Sequence, residues 1–361
     1  MNKIVYEVLD RIEEANFEAY IVGGYVRDII MGIPTVDVDI CTSALPKDIK
    51  QIFNINEESN LYGSINFNRN NYNFDITTFR KEYNYEKRRP TKVQFIKDLK
   101  DDVLRRDFTI NSLCMDKNDN LIDYLNGKDD ITNKKIRLIG DNIRLKEDPL
   151  RILRAIRFAT VYDFEIDDKL NDGIVMYKEY INELSITRIK NEIDKILVSK
   201  NFKKGLNLLK KYNILNMLGI NVHNNIKYVA DLSGMYSQLN IENEKYPFTK
   251  EEKNNMKEIK KIVTKKAINN QILYNYGLYI SSIAAKILGY KQDEIVDMYN
   301  KLPIKSVKDL DITFLEIKDV VNTNDCKEIK IIQDIIIDGI LSGKLKNNKN
   351  EIIKFIRQGM S

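Results

Sequence analysis

Histidine is nearly absent: His223 is the single one in 361 residues. A histidine dyad for acid–base work and a multi-histidine metal site are therefore excluded. Cysteine is scarce as well. Cys41, Cys114 and Cys326 are odd in number and far apart. They can build neither a disulfide framework nor a CxxC zinc site, and a reducing cytoplasm is the expected compartment. No apolar run reaches membrane-spanning length. The nearest, Gly277–Tyr290, is short and contains Lys286. The opening MNKIVYEVLDRIEEANF reads as an amphipathic helix rather than a signal peptide. There is no tandem repeat, no long low-complexity tract, and no GxxxxGK followed by Ser or Thr, so a P-loop is excluded.

Charge and apolar residues are plentiful. Apolar residues make up 43%, enough for a packed core, and the length suits two or more domains. Charged residues make up 31%, with a formal net charge of +5. That mild basicity fits a nucleic-acid partner without establishing one.

The first 140 residues mix two periodicities. Val5–Phe17 reads as a helix, Ala19–Val22 as a strand ending at Gly23-Gly24, and Tyr25–Met31 as a helix stopped by Gly32-Ile33-Pro34. Val36–Cys41 alternates as a strand. Ile65–Phe67, Asn73–Phe79, Gln94–Ile96 and Ser112–Asp116 follow as further strands, with Asn118-Asp119-Asn120 as a turn. Past about Ile139 strand signals fade and helical periodicity dominates. The expectation is an α/β head, a mixed sheet with helices, followed by an all-α neck, body and tail. The divisions are 1–140, 141–200, 201–305 and 306–361.

Chemistry concentrates in the head. Asp37 and Asp39 are two apart on one strand, so their carboxylates share a face and repel unless a cation sits between them. Mg²⁺ suits such oxygen ligands and takes phosphate oxygens as further partners. Alone, the pair is equally an exposed polar strand face. An EF-hand is excluded, because Cys41 and Thr42 stand where that loop needs an acidic residue and a glycine. Upstream, Gly23-Gly24-Tyr25-Val26-Arg27-Asp28 joins a strand to a helix. Two glycines there let backbone N–H groups approach a phosphate, and Arg27 reaches the same place. A phosphate cradle and a carboxylate pair within twenty residues point to triphosphate chemistry.

Three stretches carry a resemblance. IVGGYVRDIIMGIPTVDVDICTSALPKDI, DVLRRDFTINSLCMD and EDPLRILRAIRFA resemble, in order, the head, second and nucleotide-selecting motifs of the class II tRNA nucleotidyltransferase and bacterial poly(A) polymerase family, within the DNA polymerase β superfamily. DITTFRKEYNYEKRRP is similar to the strand and flexible loop between the first two. The likeness spans roughly residues 19–200. It implies that Asp37 and Asp39 bind the catalytic metal, Mg²⁺. It implies that Gly24 and Arg27 contact the triphosphate, and that Arg106, Asp107 and Asn111 recognise triphosphate and ribose. Asp148, Arg151, Arg154 and Arg157 fall on the nucleotide-selecting helix. Asp75 matches a third carboxylate on a neighbouring strand. Tyr62 stands where relatives often carry a histidine. The implied activity is untemplated addition of C, C and A to the 3′ end of tRNA from CTP and ATP, with pyrophosphate leaving. No membrane or protein partner is expected. Poly(A) addition, or addition of CC or A alone, is the alternative. The near full-length loop at Arg80–Pro90 favours an enzyme that adds A, since CC-adding relatives have it shortened. One histidine cannot supply the HD-type phosphohydrolase domain of some relatives.

The selecting helix, read as Glu147–Phe158 with Pro149 in its first turn, spaces Arg151, Arg154 and Arg157 by three into a basic ridge. C and A both present an amino donor beside a ring-nitrogen acceptor. Asp148 can accept from the amino group and Arg151 can donate to the ring nitrogen. U and G present the opposite order and leave both charges unpaired. Further on, Ser185–Leu197 reads as a helix that packs the neck. Lys253, Lys257, Lys260, Lys261 and Lys265 share a helical face that fits either a phosphate backbone or plain solvent. His223 is expected in a loop or at the surface.

Overall fold

The computed structural model describes residues 2–55, 63–86, 89–223, 225–242 and 244–359, without side chains for 84–92. Tyr62 lies outside the described residues. The chain forms two compact units, Met1–Leu218 and Gly219–Ser361.

The first unit is built on a mixed sheet. Its strands are β1 (Ala19–Val22), β2 (Asp37–Thr42), β3 (Ser64–Arg69), β4 (Tyr72–Thr78), β7 (Cys114–Met115) and β8 (Leu121–Ile122), in the order β3-β4-β2-β1-β7-β8. β2 runs parallel to β4 and antiparallel to β1. β5 (Arg80–Glu86) and β6 (Arg89–Phe95) pair as a separate antiparallel hairpin. The segment expected as a loop is therefore strand-paired: Arg80, Tyr83, Tyr85 and Val93 are residues that favour a pleated ladder or tolerate one.

Helices α1 (Lys3–Glu14), α2 (Gly24–Ile30), α3 (Pro46–Phe53), α4 (Leu99–Leu104) and α5 (Gly127–Thr132) surround the sheet. α1 starts at Asn2, whose side chain caps Ile4 N–H at 3.2 Å. It buries Ile4, Val5, Val8, Leu9 and Ile12 along one stripe. Each such side chain contributes roughly 1.5–3 kcal/mol of burial, so this stripe holds the helix to β1 and α3.

α6 (Ile143–Glu147), α7 (Leu150–Val161), α8 (Asp168–Tyr177), α9 (Ile186–Leu197), α10 (Phe202–Lys211) and α11 (Ile214–Met217) complete the unit. The expected helix at Glu147–Phe158 is corrected here. α6 ends at Glu147, Asp148 is extended (φ −135°, ψ 90°), and α7 begins after Pro149. Proline disfavours helical backbone in the residue before it, and Asp148 is that residue. α7 then packs along α9.

Two short pairings interrupt the helical region. β9 (Lys135–Ile136) runs parallel to β10 (Glu165–Ile166). In the second unit β11 (Ile220–Val222) pairs antiparallel with β12 (Leu239–Ile241). The part beyond residue 140 is thus largely helical rather than all-α. Strands of two or three residues are too short to produce a legible alternation.

The second unit otherwise consists of α12 (Leu232–Ser237), α13 (Lys250–Lys265), α14 (Asn270–Leu288), α15 (Gln292–Asn300), α16 (Phe314–Val321), α17 (Cys326–Leu341) and α18 (Lys349–Gly359). Thr249 with Glu252 and Thr313 with Glu316 form capping boxes at α13 and α16. α14 breaks at Gly277 (φ 70°, ψ 175°), a backbone state only glycine adopts cheaply. Its second half is the apolar stretch noted above. Among the described residues no helix is long and apolar enough to cross a membrane. His223 lies exposed after β11.

Candidate active site

Asp37 and Asp39 open β2. The register sets Asp37 opposite Asn73 and Asp39 opposite Asp75, so the three carboxylates share one sheet face. Asn73 Nδ2 donates to Asp37 Oδ1 at 2.6 Å. Burial pushes the Asp39 carboxyl above its usual range, Arg106 draws it back, and Asp75 raises it again. Asp75 is likewise raised by burial. Two residues further along the same strand, Cys41 is already core, packed with Phe79, Leu99, Val103 and Cys114. The carboxylates therefore stand where the sheet face leaves the core and opens into a cleft.

Gly23 makes that approach possible. Its φ is +74°. A Cβ there would stand 3.3 Å from Asp39 Oδ2 and 3.5 Å from Arg106 Nη1. Neither the backbone state nor the space admits a side chain comfortably. Arg27, one turn into α2, is 5% exposed. Its guanidinium donates to Asp28 Oδ1 from Nε at 2.9 Å and Nη2 at 2.8 Å, and from Nη1 to Asn111 Oδ1. It also lies over the rings of Tyr162 (4.5 Å) and Phe158 (5.4 Å).

Asp107 faces inward. Its Oδ1 accepts from Asn111 Nδ2 (3.0 Å) and Phe108 N–H (2.8 Å), and its Oδ2 from Arg154 Nε (2.7 Å). Burial raises its carboxyl, but Arg154 and these donors outweigh that and hold it far below the usual range. Both oxygens are thus committed to positioning Asn111 and Arg154.

Asp148 sits in the break between α6 and α7. Its Oδ1 accepts from Leu150 N–H at 3.3 Å and lies 3.5 Å from Arg188 Nη2 on α9. Arg151 is 5% exposed and donates from Nη1 to Arg144 O at 3.1 Å. Arg157 pairs with Glu192 of α9, Nε to Oε2 2.6 Å, at an angle too poor for a hydrogen bond. The basic ridge is therefore a cleft wall whose charges are held by partners, not a solvated face.

One cleft of about 890 Å³ gathers these groups, a size that suits a nucleotide. Gly24, Arg27, Asp37, Asp39, Arg106, Asp107, Asn111, Asp148, Arg151, Arg154 and Arg157 all line it. So do residues that sequence reasoning passed over: Arg80 and Glu82 of β5, Arg105, and Arg188 and Lys195 of α9. Arg188 and Lys195 are seven apart and so share a helix face. That spacing was available in a helix read only as neck packing.

The carboxylates fit a hard divalent cation. Their donors are all oxygen, and the upward push on Asp39 is the cost such a cation relieves. Among the described residues no three His, Cys, Asp or Glu side chains are grouped to hold an ion by themselves. A cation at this pair takes its remaining ligands from water or phosphate.

The family profile described as the Poly A polymerase head domain matches residues 19–137, and the one described as a probable RNA and SrmB-binding site of polymerase A matches 163–219. The CCA-adding enzyme of Ligilactobacillus salivarius is 33% identical over 96% of this chain and 94% of its own length. That of Staphylococcus haemolyticus is 32% identical over 98% and 97%. The Bacillus stearothermophilus CCA-adding enzyme, solved with CTP, superposes with a TM-score of 0.85 at 22% identity, covering 99% of this chain and 98% of the other. The Thermotoga maritima enzyme, solved with tRNA, gives 0.70 at 18% identity over 100% and 97%. With nearly full-length relatives above 30% identity, and with the head, sheet and cleft in place, the chain belongs to the family of CCA-adding enzymes.

Proposed function

We propose that the protein adds C, C and A, one nucleotide at a time and without a nucleic-acid template, to the 3′ end of tRNA, using CTP and ATP. The observation that carries this is the convergence in one cleft of the carboxylate pair Asp37 and Asp39, the glycine turn at Gly23-Gly24, and the base-edge pair Asp148 and Arg151. The relatives are named for the same activity.

The RNA 3′ oxygen forms the new bond to the α-phosphorus, and the bond to the β-phosphate oxygen breaks to release pyrophosphate. Asp37 and Asp39 would hold Mg²⁺, which supplies Lewis-acid activation of the attacking oxygen and charge neutralisation of the leaving one. The chain's own part is positioning and electrostatics. Arg27 and Arg106 flank the glycine turn and neutralise the triphosphate. Asp107 holds Asn111 and Arg154 in place. Asp148 accepts from the amino group of C or A while Arg151 donates to the ring nitrogen. Leu150 N–H and Arg188 hold Asp148 through Oδ1 and so fix the carboxylate at the cleft wall.

The division into head 1–140, neck 141–200, body 201–305 and tail 306–361, with tRNA contacts on the tail, belongs to the same proposal. So does a cytoplasmic site of action, for which the free thiols of Cys41, Cys114 and Cys326 speak.

One primer-extension assay tests the reading. tRNA lacking CCA, given CTP and ATP, is expected to grow by three nucleotides and stop. A long A-tail on unstructured RNA would identify a poly(A) polymerase, and a halt at CC despite ATP a partial enzyme.

A further inference from the structure

Behind the cleft wall that carries Arg105 and Arg106 lies Asp102 on α4. It is 0% exposed and is not among the lining residues. Its Oδ1 accepts from the backbone N–H of Arg80 at 3.1 Å and from Arg105 Nε at 2.8 Å. Its Oδ2 accepts from Arg106 Nη2 at 3.1 Å. Glu82 Oε1 takes Arg80 Nε at 2.8 Å and lies 3.4 Å from Arg105 Nη1. Asp102 is thus the hub of a charged network that runs from the base of the β5–β6 hairpin to Arg106.

Arg106 depends on this hub. Its Nε is buried without a hydrogen-bond partner, Nη1 lies 3.5 Å from where a Cβ on Gly23 would stand, and its charge draws the Asp39 carboxyl down. Asp102 is what fixes the plane of the guanidinium. Burial drives the Asp102 carboxyl up, but Arg105 and Arg106 overcome it, so the group is an anion inside the protein. A well-packed apolar cluster would stabilise a fold as well as such a buried network does. What the network adds is geometry, a fork of donors held at a fixed angle.

We propose that Asp102 is a positioning residue for nucleotide binding: it holds Arg106 beside the glycine turn to meet the triphosphate, and through Arg80 and Arg105 it ties the hairpin base to the same wall. This rests on the proposed contact of Arg106 with the triphosphate.

The test compares the wild type, Asp102→Asn and Arg106→Ala on tRNA lacking CCA. The readouts are kcat and KM for CTP, inhibition by inorganic tripolyphosphate, and melting temperature. Asp102→Asn keeps the shape and removes the charge. It is expected to raise KM for CTP and the inhibition constant of tripolyphosphate together, by roughly 10- to 100-fold, the range seen when the outer partner that orients a metal ligand is removed. The preference for CTP over UTP should stay at the wild-type ratio, because Asp148 and Arg151 are untouched. A folded Asp102→Asn with both constants unchanged, while Arg106→Ala raises them, overturns the inference and spares the triphosphate reading. If Arg106→Ala also leaves both unchanged, the triphosphate contact itself is wrong and the inference falls with it. Should Asp102→Asn not fold, Asp102→Asn with Arg105→Gln keeps the network at its wild-type net charge. The same shift in both constants is expected there, and unchanged constants overturn the inference.

Discussion

At the scale of single residues, the site is a set of charges that would be costly without their partners. Asp37→Ala or Asp39→Ala removes one of the two carboxylates proposed to hold the metal. Turnover is expected to fall by several orders of magnitude in each, with tRNA affinity nearly unchanged. Single-turnover extension beside a filter-binding assay checks this, and near-normal turnover in both would refute the assignment. Asp107 gives a stability prediction instead. Its folded-state protonation lies far below the usual carboxylate range because Arg154 outweighs burial. A depressed value means stabilisation that is complete above the ordinary range and lost as pH falls through it and below. Arg154→Ala leaves the anion buried. Complete burial would make that cost about 3–5 kcal/mol. With the Arg154 side chain 33% exposed, a loss on the order of 2 kcal/mol is expected at pH 7. Denaturant unfolding should show the gap to wild type narrowing as pH falls through and below the ordinary carboxylate range. A gap independent of pH would mean that Arg154 stabilises by packing alone.

At the scale of elements, the helix break at Asp148-Pro149 sets where the proposed base-reading carboxylate stands. It frees the Asp148 side chain from a helical ridge and lets α9 reach it through Arg188. Asp148→Ala should weaken CTP and ATP use and relax exclusion of UTP and GTP, by roughly 1–3 kcal/mol of discrimination. It should not abolish transfer, because Asp37 and Asp39 remain. The measurement is kcat/KM for all four nucleotides on one tRNA primer. A common fall with the C-over-U ratio intact would make Asp148 architectural.

At the scale of the whole molecule, the proposed catalytic groups all lie in the first unit, and the second offers charge. On α13, Lys257, Lys260 and Lys265 are exposed, Lys253 is half-buried, and Lys261 is paired with Glu258 at 2.8 Å. If the exposed three track a phosphate backbone, replacing them with Gln should weaken tRNA binding. It should also flatten its dependence on salt by about one log unit per lost contact. KM for CTP at saturating tRNA should not move. Unchanged affinity and slope would leave them as solvated lysines.

Sequence alone determined what depends on local spacing. A short apolar run before the glycine pair placed β1 at Ala19–Val22, and a step of two put Asp37 and Asp39 on one face. The glycine pair marked the turn before α2, and the three stretches from the head to α7 held the eleven predicted site residues now found in one cleft. Only the tertiary structure could decide what depends on contacts between distant segments. The hairpin at Arg80–Phe95 is made by cross-strand pairing. Arg188 and Lys195 become cleft residues because α9 packs on α7, and no pattern within α9 tells which neighbour its polar face will meet. Asp102 looks like any charged residue of a short helix until Arg80, Arg105 and Arg106 close around it. A side chain's periodicity is written in its own segment, whereas its electrostatic partners are set by the packing of others.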